Sequence, residues 1–234
     1  MKCAVKFYAS IILLFFIFEA GNIFAITIKP VTNSKVIKLI ENKGQWDAQI
    51  LFKASIPNGN LYVTKTGIAY GMFDEKVLHD ITHDKKEGVL NTHNLKVDFV
   101  GCNANPTVVK QTRSFEYYNY FIGNNKSKWA NHCYAYEKIT LLNLYRNIDL
   151  EIIALEGSYK TNFVVHAGGN PANIQLSYVG PNSMEILNGA LNVYTSVGIM
   201  KEEKPVCYQN NNSIGAHFIL NGNMLSYSIN SFDS

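Results

Sequence analysis

Apolar and polar residues alternate with period two along most of this chain. Leu95, Val97 and Phe99 alternate with Lys96 and Asp98, and Ile174, Leu176 and Tyr178 alternate with Gln175 and Ser177. That period places one set of side chains on each face of a β-strand. Residues 148–154 read as a further strand that turns at Leu155-Glu156-Gly157. The chain then returns with Tyr159, Thr161, Phe163 and Val165 on one face. Three segments have Asn-Gly between paired runs: Asn188-Gly189, Asn221-Gly222, and Asn58-Gly59 within Pro57-Asn58-Gly59-Asn60. Asn-Gly tolerates positive φ at both centres of a type I′ turn, so each predicts an antiparallel hairpin. Breaks are expected at Asn170-Pro171, because the residue before proline is pushed from helical geometry, and at Gly180-Pro181.

One stretch leaves this rhythm. Residues 74–87 are highly charged, with Val77, Leu78 and Ile81 at helical spacing, and read as a short surface helix or a mobile loop, more a loop with one helical turn. The predicted fold is all-β: a large antiparallel sandwich, or two packed sandwich lobes, with that short insertion.

The N-terminus reads differently. Lys2 and Lys6 precede an unbroken apolar run at 11–18, Glu19 ends it, and Ile23-Phe24-Ala25 offers a small-residue cleavage site. This order predicts a secretory signal over 1–25, and the run is far short of the ~20 residues of a membrane span. Cys3 precedes the apolar run, which excludes a lipoprotein signal. Cleavage leaves residues 26–234, 209 residues, as a single β-rich domain that is secreted or held at the cell surface. No membrane span is expected after cleavage.

Charge narrows the partners. The leader removes two lysines and one glutamate, so formal net charge falls from +3 to +2. That value, with no Lys/Arg run, argues against nucleic acid. Three cysteines remain, Cys102, Cys133 and Cys207. Their spacing fits no zinc pattern; they read as small apolar residues, with one disulfide as the alternative.

Candidate chemistry is sparse. His79 and His83 would share a face on a helix, a spacing that can hold a metal, but the Glu of a zinc protease is missing. They read as a solvated charged turn. Asp149 and Glu151 share a strand face and could pair as carboxylates, though a solvated face is the plainer reading. His93, His132, His166 and His217 are isolated strand or turn residues, and Cys133 beside His132 is adjacency without geometry. Trp46 and Trp129, with Tyr117, Tyr118 and Tyr120, read as core anchors, with a sugar-stacking platform as the alternative. No Gly-x-Ser-x-Gly elbow, P-loop or dinucleotide fingerprint occurs. No residue is therefore assigned a catalytic, cofactor-binding or metal role.

Seven segments carry a family resemblance: ENKGQWDAQILFKA (41–54), GNLYVTKTGIAY (59–70), LKVDFVG (95–101), YYNYFIGNNKSKWANHCYAYEKI (117–139), NLYRNIDLEII (143–153), YKTNFVVHAGGNPANIQLSYVG (159–180) and KPVCYQ (204–209). In this order they resemble the N-terminal domain of unknown function of large secreted Bacteroidetes proteins. Those proteins often continue into SBBP-type β-propeller repeats and end in gliding-motility-associated or type IX secretion sorting domains. The resemblance covers most of 37–233. Two departures stand out. Such proteins usually continue past the segment matching 227–233 into an Ile-Asp-Pro strand and the repeats, so this chain is expected to be truncated relative to them. Where they often have Pro-Gly-Ala-Asp-Pro, this chain has Ala167-Gly168-Gly169-Asn170-Pro171, so an Asp that could bind a cation is Asn170. The resemblance implies a non-catalytic surface module whose partners are other surface proteins or glycans. The alternative is a carbohydrate-binding or carbohydrate-active β-sandwich. Truncation implies an unpaired edge near 216–229, and weak self-association through it.

Overall fold

The computed structural model describes residues 36–82 and 87–230. The leader expected at 1–25 and His83 lie outside them. The chain runs β1 (Leu39–Glu41), β2 (Ile50–Ile56), β3 (Gly59–Thr64), β4 (Gly67–Phe73), α1 (Glu75–Thr82), β5 (Thr92–Phe99), β6 (Thr107–Tyr120), β7 (Ala130–Tyr145), β8 (Ile148–Leu155) and β9 (Ser158–Val165). It continues as β10 (Leu176–Val179), β11 (Ser183–Leu187), β12 (Ala190–Thr195), β13 (Gly198–Glu202), β14 (Cys207–Gln209), β15 (Asn212–Ile214), β16 (Ala216–Asn221) and β17 (Met224–Ile229). Strands dominate and every pairing is antiparallel, so the all-β reading holds.

Of the two forms weighed for the insertion, the helix is the one present, over Glu75–Thr82. α1 is eight residues long. The Asp74 carboxylate accepts the Val77 N–H at 3.1 Å and caps the first turn. Charge on the outer positions hid this cap from a reading based on periodicity.

Two of the three Asn-Gly turns also differ in detail. At Asn188-Gly189 both residues take positive φ, +52° and +82°, as a type I′ turn requires. Between β16 and β17, however, Asn221 pairs with Met224, so the turn is Gly222-Asn223 with positive φ at Gly222. Between β2 and β3, Ile56 pairs with Gly59, and the turn is Pro57-Asn58. Proline fixes a negative φ at its first centre, which rules out type I′ there.

The largest sheet has twelve strands, in the order β16-β17-β10-β5-β4-β3-β2-β1-β7-β8-β9, with β6 also on β7. Smaller sheets are β11-β12-β13 and β14-β15. The large sheet forks at β7. Tyr136 pairs with Arg113 of β6 and Leu39 of β1, while Lys138 pairs with Gln111 of β6 and Ile153 of β8. A strand has two edges. Since β6 occupies one throughout, β1 and β8 follow one another along the other. From that edge the β1–β5 side and the β8–β9 side diverge as two layers. Their inner faces meet: Tyr70 of β4 reaches Tyr159 of β9, and the rings of Phe163 (β9) and Tyr227 (β17) lie 6.1 Å apart. Phe52, Leu61, Leu95, Ile139, Leu150 and Ile152 are fully buried. Each such side chain contributes roughly 1.5–3 kcal/mol relative to exposure.

The ENKGQW segment supports the fork. Glu41 ends β1 and is 5% exposed. One of its oxygens accepts the Tyr134 N–H of β7 at 3.0 Å, and the other meets the Lys110 ammonium of β6 at 2.6 Å. Lys43 lies 3.6 Å away. Burial alone would raise the Glu41 pKa; these partners outweigh it and hold the carboxyl below its ordinary value. Asn42 organises the following loop. Its oxygen accepts the N–H groups of Gly44 and Trp46, and its amide donates to the carbonyls of Asp47 and Ile50. Gly44 takes φ +108°, a conformation that favours glycine.

Glu41→Ala should destabilise the fold by about 2 kcal/mol at neutral pH, the order of a charged hydrogen bond left unmade. Because the folded-state pKa is depressed, the charge-dependent part is present above the unfolded value. It is lost as pH falls through the folded one. Urea unfolding from neutral to strongly acidic pH should therefore show the gap between variant and parent narrowing. A gap that is constant or widens on acidification would contradict the assignment.

Candidate functional site

The two layers do not close completely. Between β4, β5, β10 and β17 on one side and β8 and β9 on the other lies a cavity of about 390 Å³, covered by β13. Its walls are mostly apolar, with Ile68, Val97, Leu150, Phe163, Leu176 and Met200 among them, and Asn58, Ser158 and Thr161 as uncharged polar members. Its polar centre is one carboxyl among four phenols. Glu202 is the last residue of β13, and Tyr70, Tyr159, Tyr178 and Tyr227 come from four strands of the large sheet.

Alternation in each strand builds this centre. Tyr70 follows Ile68 on the inner face of β4, Tyr178 follows Leu176 on β10, and Glu202 follows Met200 on β13. The Tyr178 hydroxyl donates to Glu202 Oε1. The hydroxyls of Tyr70 and Tyr159 meet in a short hydrogen bond. That bond uses one of the pair's two hydroxyl protons; the other has no protein acceptor among the described residues. Glu202 Oε2 likewise has no protein hydrogen-bond partner among them.

Electrostatics follow from enclosure. Glu202 is surrounded by protein yet keeps accessible surface, because that surface faces the cavity. Burial pushes its carboxyl above the usual carboxylate range, and the Tyr178 hydrogen bond offsets part of this. Burial also raises the hydroxyls of Tyr70, Tyr178 and Tyr227 well above an ordinary phenol, and the negative charge of Glu202 adds to each shift. Tyr159 is raised by the same two causes. On either side of Glu202 in the chain, Lys201 pairs with Glu203 at 2.8 Å. Glu202 is thus a carboxyl in an apolar enclosure with phenols for neighbours and no cation in contact.

Known proteins place this architecture in a family. The model of a domain of unknown function, DUF7948, matches residues 39–234. The chain belongs to the DUF7948 family. No curated protein and no solved structure matches it. The DUF7948 match begins at the first residue of β1 and takes in every strand described above.

The residues singled out by sequence lie elsewhere in this DUF7948 domain. Leu150 lines the cavity, so Asp149 and Glu151 project from the opposite face of β8. Asp149 contacts the His166 imidazole at 2.8 Å and accepts the Asn143 N–H at 2.7 Å. Glu151 meets Lys138 at 2.6 Å and accepts from Asn162 at 3.0 Å. His79 is exposed on α1. Among the described residues no group of three His, Cys, Asp or Glu could hold a metal ion. Asn170 caps a short 3-10 turn, accepting the Ala172 N–H at 3.0 Å. Cys102, Cys133 and Cys207 are free thiols, so the disulfide alternative does not apply.

His93 bridges β5 to the hairpin turn at Ser196 and to the Gly180 carbonyl. His132 stacks on Tyr117 at 4.5 Å, and His217 is exposed on β16. The tryptophans are not core anchors. Trp46 is half-buried, edge-on to Tyr120 at 5.2 Å, and Trp129 is 39% exposed with its ring crossing that of Phe121. Trp46 lies in the β1–β2 loop against Tyr120 at the end of β6, and Trp129 just ahead of β7, both outside the layered interior. The Trp46–Tyr120 and Phe121–Trp129 rings cross at 69° and 71°.

Sequence reasoning missed Glu202 because Lys201-Glu202-Glu203-Lys204 reads as a solvated charge run. The available signal was the tyrosines. Inward phenols need hydrogen-bond partners, and several on alternating strands imply a polar centre.

Glu202 has a folded-state pKa above its unfolded value. Its neutral form is therefore favoured, and the contribution is fully present below the ordinary carboxylate value and lost as pH rises through the folded one. Glu202→Gln should remove that loss. At neutral pH the variant should match or exceed the parent in thermal midpoint, and the difference should close toward about pH 4, near the ordinary glutamate value. A variant clearly less stable than the parent at neutral pH would contradict a buried, uncompensated carboxyl.

Proposed function

We propose that this chain is an exported, non-catalytic binding module that takes a small molecule into the Glu202 cavity. The observation that supports it is the cavity itself. It is mostly apolar-walled, has an underused carboxyl and a spare phenolic proton at its centre, and its volume is in the range of ordinary ligand pockets. Asp149 and Glu151, the carboxylate pair weighed from the sequence, are engaged as clamps between strands on the opposite face. Export rests on the basic, apolar and small-residue order of 1–25. The larger setting rests on the seven-segment resemblance: the module would form the N-terminal part of a surface or gliding-associated protein whose relatives continue into β-propeller repeats. A carbohydrate ligand is the second reading, favoured by the cluster of hydroxyls at the cavity centre.

Purified residues 26–234 should turn over no glycosidase, esterase or protease substrate in a broad screen. Asp149→Ala and Glu151→Ala should lower stability alone. Mass spectrometry of exported protein should find an N-terminus within a few residues of Ile26. Turnover that disappears with either substitution would overturn the non-catalytic reading, and intact Met1 outside the cell would overturn cleavage.

A further inference from the structure

Resting on the binding reading, we propose that the cavity accepts a small organic cation: an apolar body bearing one ammonium group, with that group seated on Glu202 Oε2. Three observations converge on this class. A carboxylate is costly to enclose without a compensating positive group, and no cationic side chain contacts Glu202. Lys201, its neighbour on β13, is committed to Glu203. Every titratable group facing Glu202 from the packed strands is a phenol: Tyr70 of β4, Tyr159 of β9, Tyr178 of β10 and Tyr227 of β17. Phenol oxygens can accept from an ammonium as well as donate to a carboxylate.

The remaining wall decides the body of the ligand. It is mostly apolar, with Asn58, Ser158 and Thr161 as its uncharged polar groups, so a largely hydrocarbon or aromatic body fits better than a heavily hydroxylated one. Aromatic rings around a desolvated cation add attraction of their own. Binding moves a proton in a defined direction. Enclosure raises the Glu202 carboxyl above its ordinary value; an arriving ammonium favours the carboxylate, so any proton held on Glu202 passes to solvent as the ion pair forms. No bond is made or broken beyond that transfer.

Isothermal titration calorimetry with 2-phenylethylammonium and its near-isosteric alcohol, 2-phenylethanol, separates charge from shape. The ammonium should bind at least roughly tenfold more tightly than the alcohol at neutral pH. Its affinity should fall as pH drops through the raised Glu202 pKa, and over that same range, in buffers of different ionisation heat, its binding should release part of a proton. Glu202→Gln should cost the ammonium at least roughly tenfold while leaving the alcohol nearly unchanged. Circular dichroism of the variant confirms that it is folded. If both probes bind equally and Glu202→Gln changes neither, the cation assignment is wrong while the binding module stands. If neither probe binds folded protein, nor a polyol series tested alongside, the binding reading falls with it.

Discussion

The edge of β7 that β1 and β8 share governs this molecule. A strand edge normally receives one partner; here two strands divide its length. Each then leads its own layer, and the layers face one another because both start from the same line. Glu41 secures the division chemically. Its carboxylate joins the end of β1 to β7 through Tyr134 and to β6 through Lys110. The ENKGQW loop that follows is held by Asn42, so the strand leaving the fork is aimed before β2 begins. The local motif and the global architecture therefore meet in a few polar contacts.

A forked sheet leaves a wedge of space where its layers separate. Most is filled by aliphatic side chains, and the remainder by tyrosines. Tyrosine fills volume but carries a hydroxyl that must find a partner in a dry interior. The solution here is mutual: Tyr70 with Tyr159, and Tyr178 with Glu202. It is an incomplete one. One hydroxyl proton and one carboxyl oxygen face the cavity without a protein partner among the described residues. A fold selected for stability alone would more easily put an apolar residue at the end of β13. Retaining a carboxyl there fits a site kept ready for a ligand.

Much of the fold was legible because period-two alternation is a direct imprint of a two-faced sheet. The strand at 95–99, the run Ile174-Leu176-Tyr178 and the β8–β9 hairpin appear where the pattern puts them. Turn centres were less legible. Asn-Gly marks a hairpin, but register sets which two residues form the turn, and at 57–58 and 222–223 register moved it by one residue. The fork was invisible, since pairing along half an edge leaves no local signature. The site was hidden for a related reason. Glu202 looks solvated among Lys201, Glu203 and Lys204, and only the third dimension shows that β13 turns it inward over four phenols. Trp46 and Trp129 were misread in the opposite sense. Size predicts burial, yet Trp46 in the β1–β2 loop and Trp129 just ahead of β7 pack at the rim, beyond the core.

The central claim is that Glu202 is an enclosed carboxyl with no cation beside it. Carbon-detected NMR titration of the side-chain carboxyls, with Glu202 assigned from the Glu202→Gln spectrum, tests this most directly. The account predicts that Glu202 titrates above the ordinary glutamate value of about 4.3, and that adding an ammonium ligand moves it back down. A Glu202 resonance titrating at or below that value in the free protein would contradict the account.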